Sequence, residues 1–274
     1  MTFVNFKEIL SQKRFSLEKI REKVPLSEMK SKSEEVKPAL DFLRVLELNK
    51  DLNDVSVIGE YKPASPSRGQ LSNFKVKEVV ETYQRGGVTA VSVLTEENFF
   101  KSSLENLKVA GKLTSMPLLR KDFIMDEYQI YEARSAGASS LLMMVSVYPD
   151  LGGGIGLCRD LGMEPLVECA NREELKLAIK SGARIIGINN RSFQDFSIDF
   201  NRTLKMADYV PDDLLLVSES GVNGYRDLKL LADFGADAVL VGSSIMASSS
   251  IENLYSSVKS LVESSKGMRR TRST

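Results

Sequence analysis

The feature that most constrains the fold is a series of short apolar or β-branched runs between Val55 and Gly242, separated by amphipathic segments long enough for a helix. Eight runs can be counted: VSVIGEY from Val55, AVSVL from Ala90, PLLRKDF from Pro117, SLLMMV from Ser140, EPLVE from Glu164, IIGIN from Ile185, LLLVSES from Leu214 and AVLVG from Ala238. Near-continuous apolar strands joined by helices are typical of a parallel sheet covered by helices. Eight such units predict an α/β fold closed as a (β/α)8 barrel, the TIM barrel.

The segments between the runs carry helix signals. VKEVVETYQRGG and NREELKLAIKSGA have apolar residues at i, i+3 or i+4 and reach glycine at their ends. Asn171, followed three residues later by Glu174, predicts a capping box. The glycine-rich LGGGIGLC from Leu151 lacks the G-x-G-x-x-G spacing of a dinucleotide site, so it predicts a weakened or irregular helix start.

The two ends of the chain differ from the repeating part. Residues 1–50 contain two amphipathic stretches, FKEILSQKRFSLEKIREKV and KPALDFLRVLEL, which predict a helical extension packed on the barrel. The barrel itself is expected over 51–265. Residues 266–274 are polar and basic, and a frayed, solvated tail is expected there.

Composition excludes several classes of partner. Lys plus Arg and Asp plus Glu both number 37, so no overall basic field draws the chain to nucleic acid or to a membrane surface. No apolar run approaches the roughly 20 residues of a membrane-spanning helix. The two cysteines, Cys158 and Cys169, cannot make a disulfide framework, and no stretch has the pattern of a signal peptide. A cytoplasmic protein is expected, without nucleic acid or membrane partners.

The absence of histidine limits the chemistry further. It removes Ser-His-Asp and Cys-His catalysis and every histidine-based zinc site. Proton transfer must therefore use Lys, Glu or Asp. Nothing in the sequence requires a metal or an organic cofactor.

Polar residues close or interrupt five of the eight runs. They are Glu60 and Lys62 at the end of the first run, Lys121 and Asp122 at that of the third, Glu168 at that of the fifth, Asn189 and Arg191 at that of the sixth, and Glu219 and Ser220 at that of the seventh. In a (β/α)8 barrel the carboxyl ends of all strands meet at one face, where the active sites of such enzymes lie. Strand alternation gives Glu60 and Lys62 one orientation. Any single pair could be a structural ion pair, but a ring contributed by five strands favours a functional site.

Two glycine-containing stretches follow the last two runs, SESGV at 218–222 and VGSS at 241–244. Loops after strands seven and eight bind phosphate in many such barrels, and Gly221, Gly242 and Ser243 fit that use. Ordinary turn chemistry is the alternative for either stretch alone. Cys169 is expected to point away from Glu168 into the helix layer, as a small core residue.

Several stretches of the sequence together resemble a known family. The stretches EYKPASPSRG, VSVLTEENFF, LLRKDFIMDEYQIYEARSAGA, MEPLVE, IIGINNRSF, VSESGV and VLVGSSIM match the indole-3-glycerol-phosphate synthases of the tryptophan pathway, in order and spacing, over nearly the whole chain. The N-terminal ILSQKRFSLEKIREKV is similar to the helical extension that partly covers the active site in that family.

The resemblance implies a phosphosugar substrate, 1-(2-carboxyphenylamino)-1-deoxyribulose 5-phosphate, and a carboxy-lyase reaction of ring closure, decarboxylation and dehydration to indole glycerol phosphate. By similarity Lys121 is the principal general acid and Glu168 the general base of dehydration. Lys62 holds the substrate carboxylate and shares proton transfer with Lys121. Glu60 orients and charge-balances the lysines, and Asn189 positions the reacting chain.

The remaining site residues implied by the resemblance bind the substrate. They are Arg191, Glu219 and Ser220 in the polar ring, Gly221, Gly242 and Ser243 at the phosphate, Ser65 at the carboxylate or within the first loop, and Phe123, with Phe99 and Phe100, against the anthranilate ring. The chain departs from the family pattern at Pro63, where a basic residue is usual, and at Ser192, where aspartate is common.

Two other functions use the same residues. An imine formed on Lys62 or Lys121 would make the chain an aldolase-type phosphosugar enzyme. A barrel that binds a phosphosugar without catalysis is the second alternative. A monomer or weak homo-oligomer is expected.

Overall fold

The computed structural model describes residues 6–192 and 195–272. Residues 1–5 of the predicted extension and 273–274 of the predicted tail lie outside the described residues, as do Phe193 and Gln194. Eight parallel strands form a closed barrel, which confirms the fold class. They are β1 Ser56–Tyr61, β2 Ala90–Leu94, β3 Leu118–Lys121, β4 Ser140–Met144, β5 Leu166–Cys169, β6 Ile185–Asn189, β7 Leu215–Glu219 and β8 Ala238–Val241.

Helices precede and alternate with these strands. They are α1 Phe6–Lys23, α2 Leu26–Glu34, α3 Phe42–Asp51, α4 Val76–Gly86, α5 Leu104–Leu113, α6 Glu127–Ser135, α7 Leu151–Asp160, α8 Arg172–Lys180, α9 Asn201–Ala207, α10 Tyr225–Asp233, α11 Ser243–Met246 and α12 Ile251–Ser264. In the described part of the chain, no helix is long and apolar enough to cross a membrane.

Each strand runs parallel to its neighbours, and β1 pairs with both β8 and β2 to close the barrel. Alternate residues of the strands face two separate apolar layers. The inner layer fills the barrel and includes Ile58, Leu142 and Val217. The outer layer, between strands and helices, includes Val57 and Cys169, which confirms the outward orientation expected for that cysteine.

The ends of α4 and α8 follow the sequence signals except for one hydrogen-bond partner. Gly87 ends α4 in a left-handed conformation at φ 82°, as its glycine predicts. At α8 the Asn171 side chain accepts the Glu174 N–H at 2.9 Å, which confirms the cap. The Glu174 carboxylate, however, accepts the N–H of Ala170 at 2.8 Å, one residue upstream of the expected partner.

The glycine-rich stretch forms the regular helix α7, so the irregular helix start predicted there is wrong. The Asp150 side chain caps the helix by accepting the Gly153 N–H at 3.1 Å. A Cβ on Gly154 would lie 2.5 Å from the ring of Tyr148, so the glycine allows this ring to pack against the helix. Capping and packing outweigh the low helix propensity of glycine here.

The N-terminal helices lie at opposite ends of the barrel interior. Ile9 of α1 and Phe42 and Leu46 of α3 all belong to the inner apolar layer. Asn49 of α3 donates to the side chains of Ser56 and Thr89. Ser56 is the first residue of β1 and Thr89 directly precedes β2, so both lie at the amino ends of their strands. Helix α3 therefore closes the amino end, whereas α1 covers the carboxyl end.

The solvated tail expected at the C-terminus is wrong for Arg269 and Arg272, which are buried. Asp237, just before β8, accepts from Arg269 at 2.6 Å and from Arg272 at 2.6 Å. Arg272 also donates to the carbonyls of Gly235 and Leu214 at 2.8 and 2.7 Å. Arg269 and Arg272 are thus folded against the amino end of the barrel because buried acceptors lie there.

Candidate active site

The carboxyl ends of the strands bring most of the predicted residues together around one cavity, called here the lysine cavity. Its polar lining comprises Glu60, Lys62, Glu96, Lys121, Asp122, Glu168, Asn189, Arg191 and Ser220, and its apolar lining includes Phe100, Phe123, Leu142 and Met144. The polar residues of this lining thus meet although they are far apart in sequence. They come from β1, β3, β5 and β6 and from the loops after β1, β2, β3, β6 and β7.

Both lysines of this cavity are ion-paired with a buried glutamate. Lys62 Nζ lies 2.9 Å from Glu60 Oε2, and Lys121 Nζ lies 3.0 Å from Glu219 Oε2. Glu60 is 3% exposed and Glu219 is 1% exposed. These pairs hold each ammonium group at the base of the cavity in a fixed position.

Two glycines make room for these glutamates, because glycine has no Cβ. A Cβ on Gly187 of β6 would overlap the carboxylate of Glu219, and a Cβ on Gly242 would overlap that of Glu60. Both glycines are needed because any larger side chain would displace a carboxylate from its lysine. Gly242 thus has a role in the polar ring as well as in the loop after β8.

Lys121 is held in its charged form. Burial lowers the pKa of Lys121, but the carboxylates of Glu219, Glu168 and Glu60 outweigh burial and raise it above the ordinary lysine value. Lys121 can therefore serve as a proton donor across the neutral pH range.

Glu168 has the opposite character, because it is buried next to another carboxylate. Burial and the charge of Glu219 raise the pKa of Glu168 to about 8, against the smaller opposing effect of Lys121. Asn189 Nδ2 donates to Glu168 Oε2 at 3.3 Å. A carboxylate whose pKa lies near the working pH suits a general base.

A hydrogen bond joins the Asn189 side chain to the backbone of Arg191. The Asn189 side chain accepts the Arg191 N–H at 3.0 Å, and Arg191 Nη1 donates to the carbonyl of Phe196 at 3.0 Å. Arg191 also forms an isolated antiparallel bridge with Ile198. The guanidinium group is thereby held at the rim.

A second cavity opens beside the first and is called here the glycine cavity. Gly221, Gly242 and Ser243 line it together, as the sequence predicts, and Ser220 lines both cavities. Ser244 Oγ donates to the carbonyl of Val222 at 2.6 Å, which ties the loops after β7 and β8 to each other.

The loop after β7 has an unusual backbone at this cavity. Ser220 has φ 67° and Gly221 has φ 100°, both in the left-handed region. A Cβ on Gly221 would lie 2.6 Å from the ring of Phe200 and 2.7 Å from the side chain of Ile198. Glycine is therefore required at 221 by both backbone and packing, and a left-handed serine beside it is typical of functional loops.

Ser65 lines neither cavity; it is buried within the loop after β1. Its Oγ accepts the Arg68 N–H at 3.2 Å. Of the two roles expected for Ser65, the structure thus gives contacts for fixing the loop. Phe123 does line the lysine cavity, with ring centroids 5.8 Å from Phe6 and 6.5 Å from Phe100.

An ion pair between Lys13 and the buried Asp122, which the sequence analysis missed, holds helix α1 over the site. Lys13 Nζ lies 2.6 Å from Asp122 Oδ2, which also accepts from Thr95 at 2.6 Å and Arg120 at 3.0 Å. Burial raises the pKa of Asp122, but Lys13 and Arg120 outweigh it and lower the pKa to about 2. Asp122, next to Lys121, thus anchors the extension.

Two further residues were missed. Glu96 is buried, and its carboxylate accepts the N–H groups of Asn98, Phe99 and Phe100 at 3.0, 2.7 and 3.1 Å, which fixes the loop that carries Phe100. Arg68 lines the glycine cavity. The acidic residue before a turn and the arginine in SPSRG are local signals that could have identified both, whereas nothing local connects Lys13 to Asp122.

A group of three or more His, Cys, Asp or Glu side chains able to hold a metal ion is absent from residues 6–192 and 195–272. The site offers ammonium, guanidinium and backbone N–H groups as donors and carboxylates as acceptors. These groups can bind anions and transfer protons.

The fold and the site define a class: a (β/α)8-barrel protein with half-buried lysines and buried glutamates at the carboxyl ends of its strands and glycine loops after the last two. Residues 6–258 match the family model described as indole-3-glycerol phosphate synthase. The chain belongs to the indole-3-glycerol phosphate synthase family, whose members are carboxy-lyase enzymes.

Curated relatives named indole-3-glycerol phosphate synthase cover most of the chain. The protein of Methanothermobacter marburgensis is 44% identical over 259 residues, which are 94% of this chain and 92% of that one. The protein of Acetivibrio thermocellus is 40% identical and is matched over 89% of this chain and 95% of its own length. The protein of Chlorobium phaeobacteroides is 38% identical, with 93% and 98% covered.

Solved structures with low sequence identity share the fold. A thiamine phosphate pyrophosphorylase from Pyrococcus furiosus is similar with a TM-score of 0.59 at 16% identity, over 79% of this chain and 97% of that one. A structure described as native KDPGal has a TM-score of 0.56 at 16% identity, over 76% and 93%. At this identity the likeness concerns the barrel alone.

Proposed function

We propose that the chain converts 1-(2-carboxyphenylamino)-1-deoxyribulose 5-phosphate into indole glycerol phosphate, carbon dioxide and water, a step of tryptophan biosynthesis. The observation that carries the proposal is that a charged lysine, Lys121, and a glutamate with a raised pKa, Glu168, line the same cavity. Lys121 is 3.0 Å from Glu219, and the pKa of Glu168 beside them is raised to about 8. Family membership supplies the reaction in which such an acid and base are used.

Ring closure is the first step. The aromatic carbon that bears the carboxylate forms a bond to the C2′ carbonyl carbon, and the carbonyl oxygen takes a proton from Lys121. The three carboxylates that raise the pKa of Lys121 keep it protonated before this step. A positioned general acid contributes about 10²–10⁴-fold to such a reaction. Solvent then reprotonates the lysine.

Decarboxylation and dehydration complete the sequence. Cleavage of the bond to the carboxylate releases carbon dioxide and returns the electron pair to the aromatic ring. The C2′ hydroxyl then takes a proton from Lys62 or Lys121 and leaves as water. Glu168 takes a proton from C1′, and the electrons of that C–H bond form the double bond of the new ring.

The other residues of the cavity bind and orient the substrate. Lys62, 2.9 Å from Glu60, holds the anthranilate carboxylate, and Phe123 packs against the aromatic ring. Asn189 positions the reacting chain beside Glu168. Arg191, Glu219 and Ser220 complete the polar ring, with Glu219 acting through Lys121.

The phosphate lies in the glycine cavity. Gly221, Gly242 and Ser243 present backbone N–H groups to it from the two loops that Ser244 ties together. A substrate with a carboxylate at one end and a phosphate at the other suits two adjoining cavities that are both lined by cations.

An imine mechanism fits the site less well. An imine-forming lysine attacks as a neutral amine, usually because its pKa is lowered. The pKa of Lys121 is instead raised, and Lys62 is ion-paired with Glu60. Acid-base catalysis is therefore the mechanism that the electrostatics support.

The remaining expectations belong to this proposal. A phosphosugar-converting enzyme of amino-acid biosynthesis works in the cytoplasm, and the buried, unpaired Cys158 and Cys169 suit a reducing compartment. A monomer or weak homo-oligomer is the proposed state.

Product fluorescence tests the proposal. Indole glycerol phosphate formation is followed with EDTA present for the parent, for Lys121→Ala and for Lys112→Ala, the last an exposed lysine of α5. Product is expected from the parent and Lys112→Ala, with a loss of about 10²-fold or more in Lys121→Ala. A folded parent that binds the substrate without product would establish the non-catalytic alternative. An active Lys121→Ala would move the acid role to Lys62.

A further inference from the structure

The glycine cavity has more positive charge than its proposed phosphate anchors provide. Its lining includes three cations, Lys62, Arg68 and Arg191, but one carboxylate, Glu60. Glu60 is matched by Lys62 at 2.9 Å. The charges of the two guanidinium groups are therefore left without compensation in the cavity.

Neither guanidinium group has an acidic partner in the described ranges 6–192 and 195–272. Arg191 donates to the carbonyl of Phe196, and the described ion pairs do not include Arg68. Burial and, after it, the like charge of Arg68 lower the pKa of Arg191. Two cations from different loops that repel each other across a cavity form an arrangement that an anion stabilises.

The position of Arg68 is built into the loop after β1. Two short strands, Ala64–Ser65 and Gly69–Gln70, pair antiparallel, and Arg68 lies in the turn between them. The Arg68 N–H donates to Ser65 Oγ at 3.2 Å. The Leu71 N–H donates to the carbonyl of Pro63 at 2.8 Å, which closes the base of the loop. The buried Ser65 thus fixes the turn from which the Arg68 side chain extends.

We propose that Arg68 binds the phosphate monoester of the substrate in the cavity that it lines with Gly242 and Ser243, together with Arg191, and that Ser65 is the positioning residue for Arg68. The inference rests on the proposed function, since it assigns one more residue to the phosphate of that substrate. Guanidinium groups match phosphate oxygens in charge and in planar geometry. A net charge of two from the arginines complements a phosphate dianion.

The test separates binding from turnover. Binding of inorganic phosphate is measured by calorimetry at low ionic strength, and KM and kcat for the proposed substrate are measured in parallel. The variants are Arg68→Ala, Arg68→Lys, and Arg44→Ala as a control that removes the same charge from the exposed face of helix α3 at the other end of the barrel. Ser65→Ala is made in the parent and in Arg68→Ala.

Arg68→Ala is expected to raise both the phosphate Kd and KM about tenfold, with kcat within about twofold. Arg68→Lys should recover part of the loss, and the dependence of KM on ionic strength should become shallower in Arg68→Ala. Ser65→Ala should raise KM in the parent but add nothing in Arg68→Ala, because the two act as one unit.

Two results would overturn the inference: a phosphate Kd and KM in Arg68→Ala equal to those of Arg44→Ala, or a change in kcat without a change in phosphate binding. A folded parent without turnover whose phosphate binding still depends on Arg68 would reject the proposed function and leave the assignment of Arg68 supported.

Discussion

The two ends of the barrel both bury charged groups, but they satisfy them differently. At the amino end, Asp237 accepts from Arg269 and Arg272, each at 2.6 Å, and from the Leu216 N–H at 2.8 Å. At the carboxyl end, Glu219 faces Lys121 at 3.0 Å, and neither of its oxygens has a well-aligned hydrogen bond among the described residues.

This difference separates stability from chemistry. A fully hydrogen-bonded buried carboxylate has its charge compensated and holds the surrounding segments together. A buried carboxylate with few donors is held mainly by its ion pair and can accept from an incoming cationic or hydrogen-bond donor group. The amino end therefore uses its buried carboxylate as a clamp, whereas the carboxyl end combines a clamp at Asp122 with reactive groups at Lys121 and Glu168.

The largest expected effect is on catalysis, from Glu168→Gln at the carboxyl end. Loss of the general base should reduce kcat by about 10²–10⁴-fold. The free energy of unfolding should stay the same or increase, because the raised pKa of Glu168 means that the folded state disfavours its charge. Steady-state kinetics and urea unfolding check both parts. A variant with parent activity would remove Glu168 from the mechanism.

The opposite result is expected for Arg272→Ala at the amino end. Leaving Asp237 with less compensation should reduce the free energy of unfolding by about 3–5 kcal/mol, with kcat unchanged while the protein is folded. Arg270→Ala is the matched control, since Arg270 is exposed and its contact with Asp233 is 3.6 Å; a change within about 0.5 kcal/mol is expected. Equal losses in the two variants would show that the buried clamp adds nothing.

A smaller effect, on pH dependence, is expected from Glu219→Gln. Because Glu168 must lose its proton to act as base, kcat/KM of the parent should rise with pH and level off above about 8. Glu219 raises the pKa of both Glu168 and Lys121, so its removal should move the acid and alkaline limbs to lower pH. A pH–rate profile with unmoved limbs would contradict the electrostatic coupling.

The smallest effect is expected at the anchor of α1. Lys13→Met removes the ion pair with Asp122 and should lower the free energy of unfolding by about 1–2 kcal/mol. KM should rise a few-fold because α1 covers the site less tightly. Lys19→Met, on the same helix, is the control. A KM equal to that of the control would mean that the anchor does not affect the site.

Much of this comparison could be predicted from the sequence where the signals are local. The eight apolar runs correspond to β1–β8 because a buried parallel strand needs a continuous apolar stretch. Lys62, Lys121 and Glu168 were identified because each interrupts such a run at its carboxyl end. Barrel closure then brings those ends together without further information.

The features that the sequence did not reveal depend on partners far along the chain. A basic segment such as that around Arg272 is usually solvated, and nothing near it indicates that Asp237, 35 residues earlier, is a buried acceptor. The contact between Lys13 and Asp122 spans 109 residues. For α7, low glycine propensity gave the wrong expectation, because the Asp150 cap and the packing of Tyr148 are specific to the folded chain.

The difference between a structural and a reactive carboxylate is measured most directly by NMR titration of the side-chain carboxyl carbons of Asp122, which anchors α1, and Glu168, the proposed base, in the free protein. Asp122, with Lys13, Arg120 and Thr95 as donors, should titrate at about 2, and Glu168 should titrate at about 8. A Glu168 carboxyl that titrates near the ordinary glutamate value of about 4.3 would contradict the assignment of a reactive carboxylate to Glu168.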